Sequence, residues 1–238
     1  NELLVTAIGR RNKSEYKKVY EWFLLCIIQD FSDDSDEKWG TEFAAKFLYE
    51  RKENLKDVER LLRKFDSSII RLEIIPEKDA DLNERFNVYS YHHDDEGKEI
   101  RLPFESESSG TKKMFSLATL LFFSIKSGVV LWIDELDSKL HPLILRYILG
   151  LYSNRNENTG NGQLIFSSHN LVCLDSSDLR RDEIWFVEKV NQVSNLYSLY
   201  DFKDDEISIR SDLNFGKHYL LGRFGAIPFQ DEENDHGR

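Results

Sequence analysis

The sequence predicts an α/β fold with a parallel sheet at its centre, and three observations lead to this class. The 238 residues are 40% hydrophobic and 13% aromatic, which excludes disorder of the chain as a whole. Residues 129–133 form an unbroken apolar run, as in a strand that is buried on both faces of a parallel sheet. A helical stretch at 142–152 and an apolar stretch at 163–166 follow, at a spacing that fits a right-handed strand–helix–strand crossover.

The amino-terminal part is predicted to be mainly helical. A short strand or buried segment is expected at 2–8, and the helical spacing of apolar residues over 17–31 predicts a helix. A charged loop is expected at 32–38. One or two helices are predicted over 41–65, with Thr41 as the N-cap.

A small β-rich unit is predicted over 68–104, where the apolar pattern changes from helical spacing to alternation. Strands are expected at 69–75, 86–91 and 99–103. The polar, glycine-bearing stretch at 92–97 is expected to be the turn between the last two strands. His92 and His93, together with Asp94 and Asp95, also leave metal binding open as an alternative.

The carboxyl-terminal part alternates helices and strands. A helix is predicted over 112–126, and Gly128 is expected to end it. Pro142 suits the first position of the next helix, because its missing N–H is not needed there. Further strands are predicted at 163–166, 183–188 and 195–202.

Charge and cysteine content limit the class of protein. The 43 acidic and 32 basic residues give a net charge of −11, which argues against unaided electrostatic capture of nucleic acid. No apolar run approaches the roughly 20 residues of a membrane helix, and no signal peptide opens the chain. Two thiols, Cys26 and Cys173, do not make a disulfide framework, so a reducing cytoplasm is expected.

Two carboxylates, Asp134 and Glu135, directly follow the apolar strand. In an open parallel sheet, ligands bind beyond the carboxyl ends of the strands. An Asp at such a strand end holds Mg²⁺ through water in phosphoryl-transfer enzymes, and the adjacent Glu is placed to polarise a water for attack on a γ-phosphate. The alternative is an ordinary solvated strand end.

Two further polar segments follow the same logic. His169 comes after the next strand, so it is expected to reach the site of Asp134 and bond a γ-phosphate oxygen, unless it is an ordinary loop histidine. Residues 108–111, Ser-Ser-Gly-Thr, precede an apolar helix. Backbone N–H groups and the helix dipole at such a terminus bind anions, and the alternative is a plain N-cap.

Together, these segments resemble the motifs of ATP-binding-cassette ATPases in their order along the chain. Residues 107–111 look like a variant of the Leu-Ser-Gly-Gly-Gln signature, although Ser109 stands in place of glycine and Thr111 in place of glutamine. Residues 130–135 look like Walker B with its catalytic glutamate. The Leu-His-Pro at 140–142 is similar to the OLD/RecF-like branch of AAA ATPases.

This resemblance implies an ABC-ATPase-like P-loop NTPase fold, a parallel-sheet core with a C-terminal lobe, and the cofactors ATP and Mg²⁺. It implies that Glu135 and His169 are catalytic and that Asp134 holds Mg²⁺ through water. The implied nucleotide-binding residues are Ser108, Ser109, Gly110 and Asp137, the last as the D-loop aspartate. It also implies a homodimer or higher homo-oligomer, in which each signature completes the site of the opposite subunit.

The downstream sequence narrows the resemblance. Residues 178–189, 197–202 and 219–228 look like the C-terminal part of bacterial ATPases from abortive-infection and phage-defence operons. Such ATPases act through an effector, a nuclease or a toxin. The implied organisation has three parts. They are a helical and β-rich insert or arm at 1–104, the C-terminal ATPase lobe at 105–230 and a disordered tail at 231–238.

One expected motif is missing from the sequence. No G-x-x-x-x-G-K-[ST] phosphate loop occurs, and the nearest stretch, 7–14, has Ala7 and Asn12 at the two glycine positions. A side chain at the second position would crowd a phosphate. The lobe with the Walker A motif is therefore expected to lie upstream of Asn1, and the chain alone is expected to be inactive.

Three other functions stay open at this stage. The first is a DNA-repair ATPase of the RecF/SMC kind, which uses the same motifs. For that function, nucleic acid would be a partner. Arg60, Arg63 and Lys64 are candidate phosphate contacts or a solvated helix face. The remaining two functions are a metal-dependent nuclease that uses the acidic residues at 134–137 and a non-catalytic scaffold that lacks the phosphate loop.

Overall fold

The structure is a computed structural model that describes residues 14–31, 37–78, 84–138, 140–174, 178–202 and 214–227. The strand expected at 2–8 and the tail at 231–238 lie outside the described residues. So does all but the last residue of the stretch at 7–14.

The helices and strands alternate along the chain. The helices are α1 (Ser14–Leu25), α2 (Glu37–Glu50), α3 (Leu55–Phe65), α4 (Ser109–Ser127), α5 (Pro142–Ser153) and α6 (Phe215–Leu220). The strands are β1 (Ile27–Asp30), β2 (Arg71–Lys78), β3 (Glu84–His93), β4 (Glu99–Pro103), β5 (Val130–Asp134), β6 (Gln163–Phe166), β7 (Trp185–Val190) and β8 (Val193–Ser198). Short 3₁₀ turns lie at Lys52–Asn54, Phe104–Ser106, Leu171–Leu174, Arg181–Glu183 and Leu199–Asp201.

A parallel sheet of strand order β1-β5-β6 confirms the predicted α/β class. β5 is the central strand, and Leu131 pairs with Ile27 on one side and with Leu164 on the other. β5, α5 and β6 are the predicted strand–helix–strand unit. All the strands therefore end at one edge, which is where the sequence placed the ligand site.

The face of this sheet that carries Trp132 is open, which corrects the prediction of a strand buried on both faces. Ile28, Trp132 and Ile165 are cross-strand neighbours, and they are 76%, 48% and 41% exposed. Leu131 and Ile133, on the opposite face, are fully buried. The unbroken apolar run was the right signal for a parallel strand, but within the described residues nothing covers its second face.

Helix α4 is the centre of the main core. Ser108 caps its start, and Gly128 ends it in the left-handed conformation at φ 73°, as predicted. A Cβ at Gly128 would lie 2.5 Å from the carbonyl oxygen of Gly160, so only glycine fits where the chain turns into β5. The fully buried side chains of α4 include Met114, Phe115, Leu121, Phe122 and Ile125.

The region over 14–50 departs from the predicted helices in two places. The predicted helix over 17–31 is wrong in its second half, because α1 ends at Leu25 and Ile27–Asp30 forms β1. The β-branched Ile27 and Ile28 pair with β5, and this distant pairing overrides a local helical pattern. Thr41 lies inside α2 and is not an N-cap, because the helix already begins at Glu37.

The predicted β-rich unit is present as an antiparallel sheet of order β2-β3-β4. Its predicted turn is shorter than expected, because His92 and His93 belong to β3 and the chain reverses at 94–97. Helices α2 and α3 pack between this sheet and α4, so the buried side chains on both sides of residue 104 share one core.

A second, smaller core lies in the carboxyl-terminal part. β7 and β8 form a hairpin through Asn191 and Gln192, both at positive φ, as a two-residue turn requires. The buried members of this core are Ile184, Phe186, Leu199, Phe215 and Phe224. An ion pair of 2.7 Å between Arg146 Nε of α5 and Asp178 Oδ2 connects it to the main core. Among the described residues, none of the helices has the length and hydrophobicity to span a bilayer.

Candidate nucleotide site at the sheet edge

The strand register brings the predicted polar segments to one edge of the parallel sheet. Ile133 pairs with Phe166, so the residues that follow β5 and β6 leave the sheet side by side. Asp30, at the end of β1, lies in register with Asp134 on the other side. The structure thus brings together Asp134, Glu135 and the loop that carries His169, as the sequence predicted.

Ser167 connects the two strand ends. Its hydroxyl donates a hydrogen bond to Asp134 Oδ1 and accepts one from the backbone N–H of Glu135 at 2.9 Å. Its carbonyl oxygen accepts the N–H of Leu136 at 3.1 Å. One side chain therefore fixes both predicted catalytic carboxylates relative to the neighbouring strand.

Glu135 has an unusual backbone conformation. Its φ of 50° lies in the left-handed region, which costs a non-glycine residue about 1–2 kcal/mol. The turn is held by two hydrogen bonds, from Ser138 N–H to the Glu135 carbonyl and from Leu140 N–H to the Asp137 carbonyl. Among the described residues, no partner holds the Glu135 carboxylate, so its side chain is available to a ligand. Strain of this kind concentrates at functional sites.

The side chain of Asp137 contacts the backbone of His169. Asp137 Oδ1 accepts the N–H of His169 at 3.3 Å, while the ring of His169 is exposed to solvent. The loop after His169 is held by Asn170, whose N–H donates to Ser168 Oγ at 3.0 Å. Burial raises the pKa of the neighbouring Cys173 thiol, so this cysteine stays protonated.

The segment of residues 107–111 caps helix α4. Ser108 Oγ accepts the N–H of Thr111 at 3.1 Å, and Thr111 Oγ1 donates to Asp66 Oδ2 at 3.3 Å. Gly110 faces the ring of Phe65, which a Cβ would approach to 3.3 Å. These described contacts lead toward the end of α3 rather than to Asp134. The N-cap geometry is therefore present, and the nucleotide role of Ser108, Ser109 and Gly110 stays a prediction.

The residues at the edge suit Mg²⁺ held through water. Asp134 is exposed, and Ser167 occupies only its Oδ1 atom, which leaves Oδ2 as a hard oxygen ligand. Among the residues that the structure describes, no group of three or more His, Cys, Asp or Glu is arranged to hold a metal ion directly. The role of Asp134 as a ligand that holds Mg²⁺ through water stays a prediction.

The sequence analysis missed Ser167, Gln29 and Asp30. Gln29 and Asp30 follow the apolar pair of β1 just as Asp134 follows the apolar run of β5. This pattern could have indicated them, but the segment was predicted to be helical. Ser167 was part of the segment that carries His169, but its hydrogen bonds depend on the register of two strands.

The other candidates have structural partners. His93 Nδ1 lies 3.1 Å from the Gly97 carbonyl oxygen, and Arg60 pairs with Glu157 at 3.2 Å. Arg63 donates to the Ile70 carbonyl oxygen at 2.6 Å, and Lys64 lies over the Tyr147 ring. These basic side chains therefore have partners within the chain, and their contact with nucleic acid stays an open prediction.

A parallel sheet whose central strand ends in Asp-Glu, beside a serine–histidine loop, is the arrangement that the resemblance to P-loop NTPases implies. Residues 19–175 match the protein family described as "AAA domain, putative AbiEii toxin, Type IV TA system". The chain belongs to this family of AAA ATPases. No curated protein sequence matches the chain.

Three solved structures resemble the chain at low identity. One comes from work described as "Structural biochemistry of ATP-driven dimerization and DNA stimulated activation of SMC ATPases", with 14% identity, a TM-score of 0.48, and 76% of this chain and 96% of that chain covered. A second is an SmcHead bound to the C-winged helix domain of ScpA, with 14% identity, a TM-score of 0.47, and coverage of 78% and 61%. A third is an Smc head domain with an extended coiled coil, bound to the C-terminal domain of ScpA derived from Pyrococcus furiosus, with 17% identity, a TM-score of 0.46, and coverage of 82% and 46%. At these TM-scores the likeness carries no conclusion about function.

Proposed function

We propose that the chain carries the catalytic carboxylates and the signature helix of an ATP-hydrolysing ATPase, whose ATP-driven dimerisation controls a partner effector in phage defence. The observation that carries this proposal is the bridge of Ser167 between Asp134 and the backbone of Glu135. A solvated strand end needs no such bridge. A hydrolytic site needs its carboxylates held in fixed positions.

Each residue at the sheet edge has a proposed role. Asp134, oriented by Ser167, would hold Mg²⁺ through water, and the ion would supply positive charge that stabilises the phosphate groups. Glu135 takes a proton from the attacking water, because the turn at φ 50° leaves its carboxylate without a partner among the described residues. His169 donates a hydrogen bond to a γ-phosphate oxygen from its exposed ring. Asp137 holds the backbone of His169 and lines the dimer interface.

The signature has a different proposed target, the nucleotide of the opposite subunit. Helix α4 is 19 residues long and begins at the exposed Ser109, so its first turn offers backbone N–H groups and a positive dipole end. Its capping contacts lead to Asp66 at the end of α3. The exposed first turn of α4 supports a homodimer in which Ser108, Ser109 and Gly110 close the partner's site.

The open sheet face supports a further lobe. Ile28, Trp132 and Ile165 expose an apolar row on a parallel sheet, and such sheets are covered on both faces. We propose that a lobe with the Walker A phosphate loop covers this row. Residues 1–104 would then be the arm, and 105–230 the C-terminal lobe. On this basis the 238-residue chain alone hydrolyses ATP poorly or not at all.

The proposed effector rests on the family. Its description names a putative AbiEii toxin and a type IV toxin–antitoxin system, which supports a toxin as the effector. A nuclease as the alternative effector and a cytoplasmic location are further parts of the proposal. The net charge of −11 favours this function over DNA repair. Nucleic acid stays open as an additional partner.

The central experiment replaces Glu135 by Gln in the complete protein. The proposal expects ATP turnover to fall roughly 10²-fold or more, because a general base is lost, while ATP binding persists and the ATP-bound dimer accumulates. Glu96→Gln, in the exposed β3–β4 turn, is the matched control and should keep wild-type turnover. Wild-type turnover in Glu135→Gln would show that Glu135 is only a strand-end charge.

A mixing experiment tests the shared site. Ser108→Arg should abolish ATP-dependent dimerisation and hydrolysis but leave nucleotide binding by the single subunit intact. It is a cleaner variant than Gly110→Asp, whose side chain would also press on Phe65. A mixture of Ser108→Arg with Glu135→Gln contains dimers with one intact site, so some hydrolysis should return. A plain N-cap predicts only a stability loss of about 1 kcal/mol and unchanged dimerisation.

A further inference from the structure

Glu107, the residue before the N-cap of α4, is held by the β2–β4 sheet. β4 leads through the 3₁₀ turn Phe104–Ser106 back under β3, so Glu107 lies beside two side chains of that strand. Glu107 Oε1 accepts a hydrogen bond from Ser90 Oγ and lies 2.6 Å from His92 Nε2. A carboxylate only accepts hydrogen bonds, so the imidazole Nε2–H is the donor.

This contact is shielded from water. The side chains of Glu107 and His92 are only 10% and 13% exposed, and Ser90 is fully buried. A buried carboxylate with two donors on one oxygen is oriented strongly, because its loss of hydration is offset only in that geometry. His93, the next residue of β3, points to the opposite face of the sheet and contacts only the adjacent turn among the described residues.

Glu107 directly precedes the signature serine, Ser108, in the chain. On the other side, Thr111 connects the same helical turn to Asp66 at the end of α3. The first turn of α4 is thus fixed from two directions, by the end of a helix and by the β-rich unit. The link through Glu107 is the direct side-chain connection from β3 to the residue before Ser108 among the described contacts.

We propose that Ser90 and His92 are positioning residues for the signature. They hold Glu107 and thereby orient Ser108 and the first N–H groups of α4 for the nucleotide of the opposite subunit. This inference rests on the proposed function. It predicts that the β3 pair affects ATP-dependent association of two subunits and leaves ATP binding within one subunit unchanged.

The test uses the complete protein with Glu135→Gln as background, so that the ATP-bound dimer accumulates. His92→Phe and Ser90→Ala should each weaken the dimer about 10-fold, as expected for a lost hydrogen bond to a charged group. His92→Gln keeps an N–H donor and should restore most of the affinity. His93→Phe is the matched control and should leave it unchanged. Dimer Kd is measured by sedimentation with ATP, and the ATP affinity of the single subunit by fluorescent-analogue titration below the dimer Kd.

The outcomes separate this inference from the proposed function. If Glu135→Gln dimerises with ATP and His92→Phe dimerises equally well, the inference is overturned and the function stands. Equal weakening by His92→Phe and His93→Phe also overturns it.

If no dimer forms in any protein, the proposed function fails. Hydrogen exchange at 109–114 in the 238-residue chain then decides whether His92→Phe, unlike His93→Phe, loosens the helix start. Equal exchange overturns the inference. Ser90→Ala replaces His92→Phe in either assay if the latter does not fold.

Discussion

Removal of the Ser167 hydroxyl tests how the catalytic carboxylates are held. Ser167→Ala deletes a hydrogen bond to a charged group, Asp134, and one to the N–H of Glu135. Hydrogen bonds contribute about 1 kcal/mol when neutral and 1.5–3 kcal/mol when one partner is charged. Asp134 and Ser167 are exposed, so in the variant water replaces part of each lost hydrogen bond. We therefore expect the free energy of unfolding to fall by about 1–2 kcal/mol.

A double-mutant cycle isolates the contact with Asp134. Urea unfolding of Ser167→Ala, Asp134→Ala and the double variant should give a coupling energy of about 1 kcal/mol, since the two side chains are hydrogen-bonded. Ser168→Ala is the control, because Ser168 Oγ accepts from Asn170 N–H and makes no described contact with Asp134. Its coupling with Asp134 should be near zero. A Ser167 coupling no larger than this control would refute the bridge.

Three other changes follow from the structure. Glu135→Asn should raise the free energy of unfolding by about 0.5–1 kcal/mol, because Asn tolerates the left-handed backbone, and should lower ATP turnover of the complete protein. Gly128→Ala should cost about 2–4 kcal/mol of stability, whereas Gly97→Ala, also at positive φ but in open space, should cost about 1 kcal/mol. Burial alone would raise the pKa of Asp66, but hydrogen bonds from Ser68 and Thr111 lower it. Asp66→Asn should therefore be less stable at pH 7, with a difference that shrinks below about pH 4 as the wild-type carboxylate is protonated.

Urea or thermal unfolding measures all three effects. A Glu135→Asn variant that loses stability would mean that the positive φ carries no strain. Equal losses at Gly128 and Gly97 would show that the approach of the Gly160 carbonyl is unimportant. A pH-independent difference between wild type and Asp66→Asn would show that the Asp66 carboxylate has the same pKa in the folded and unfolded chain.

The elements that the sequence predicted well have a strong local signal. Helix α4 carries its apolar pattern, its cap and its terminating Gly128 within about 20 residues, and β6 was placed at its observed bounds. β1 was missed because Ile27 and Ile28 continue the helical spacing of α1, and only pairing with β5 makes them a strand. Local patterns do not carry such distant information.

The residues of the candidate site also divide into those with a local sequence signal and those without one. Asp134, Glu135 and His169 were found because each follows an apolar strand, and the structure places their segments together. Ser167 is known as a bridge only once the register of β5 and β6 is fixed. The positive φ of Glu135 also depends on tertiary packing, because the buried Leu136 anchors the turn. The catalytic roles stay predictions.

The pairing of β1 with β5 has a consequence for biogenesis. Roughly 100 residues separate the two strands, so the entropy of closing that loop is lost before the contact forms. β2, β3 and β4 close through local connections, as do β7 and β8. During translation, the apolar strand β1 therefore stays unpaired until β5 has been synthesised. The nascent chain is most prone to aggregation in that interval, and chaperones that bind extended apolar segments would act on β1.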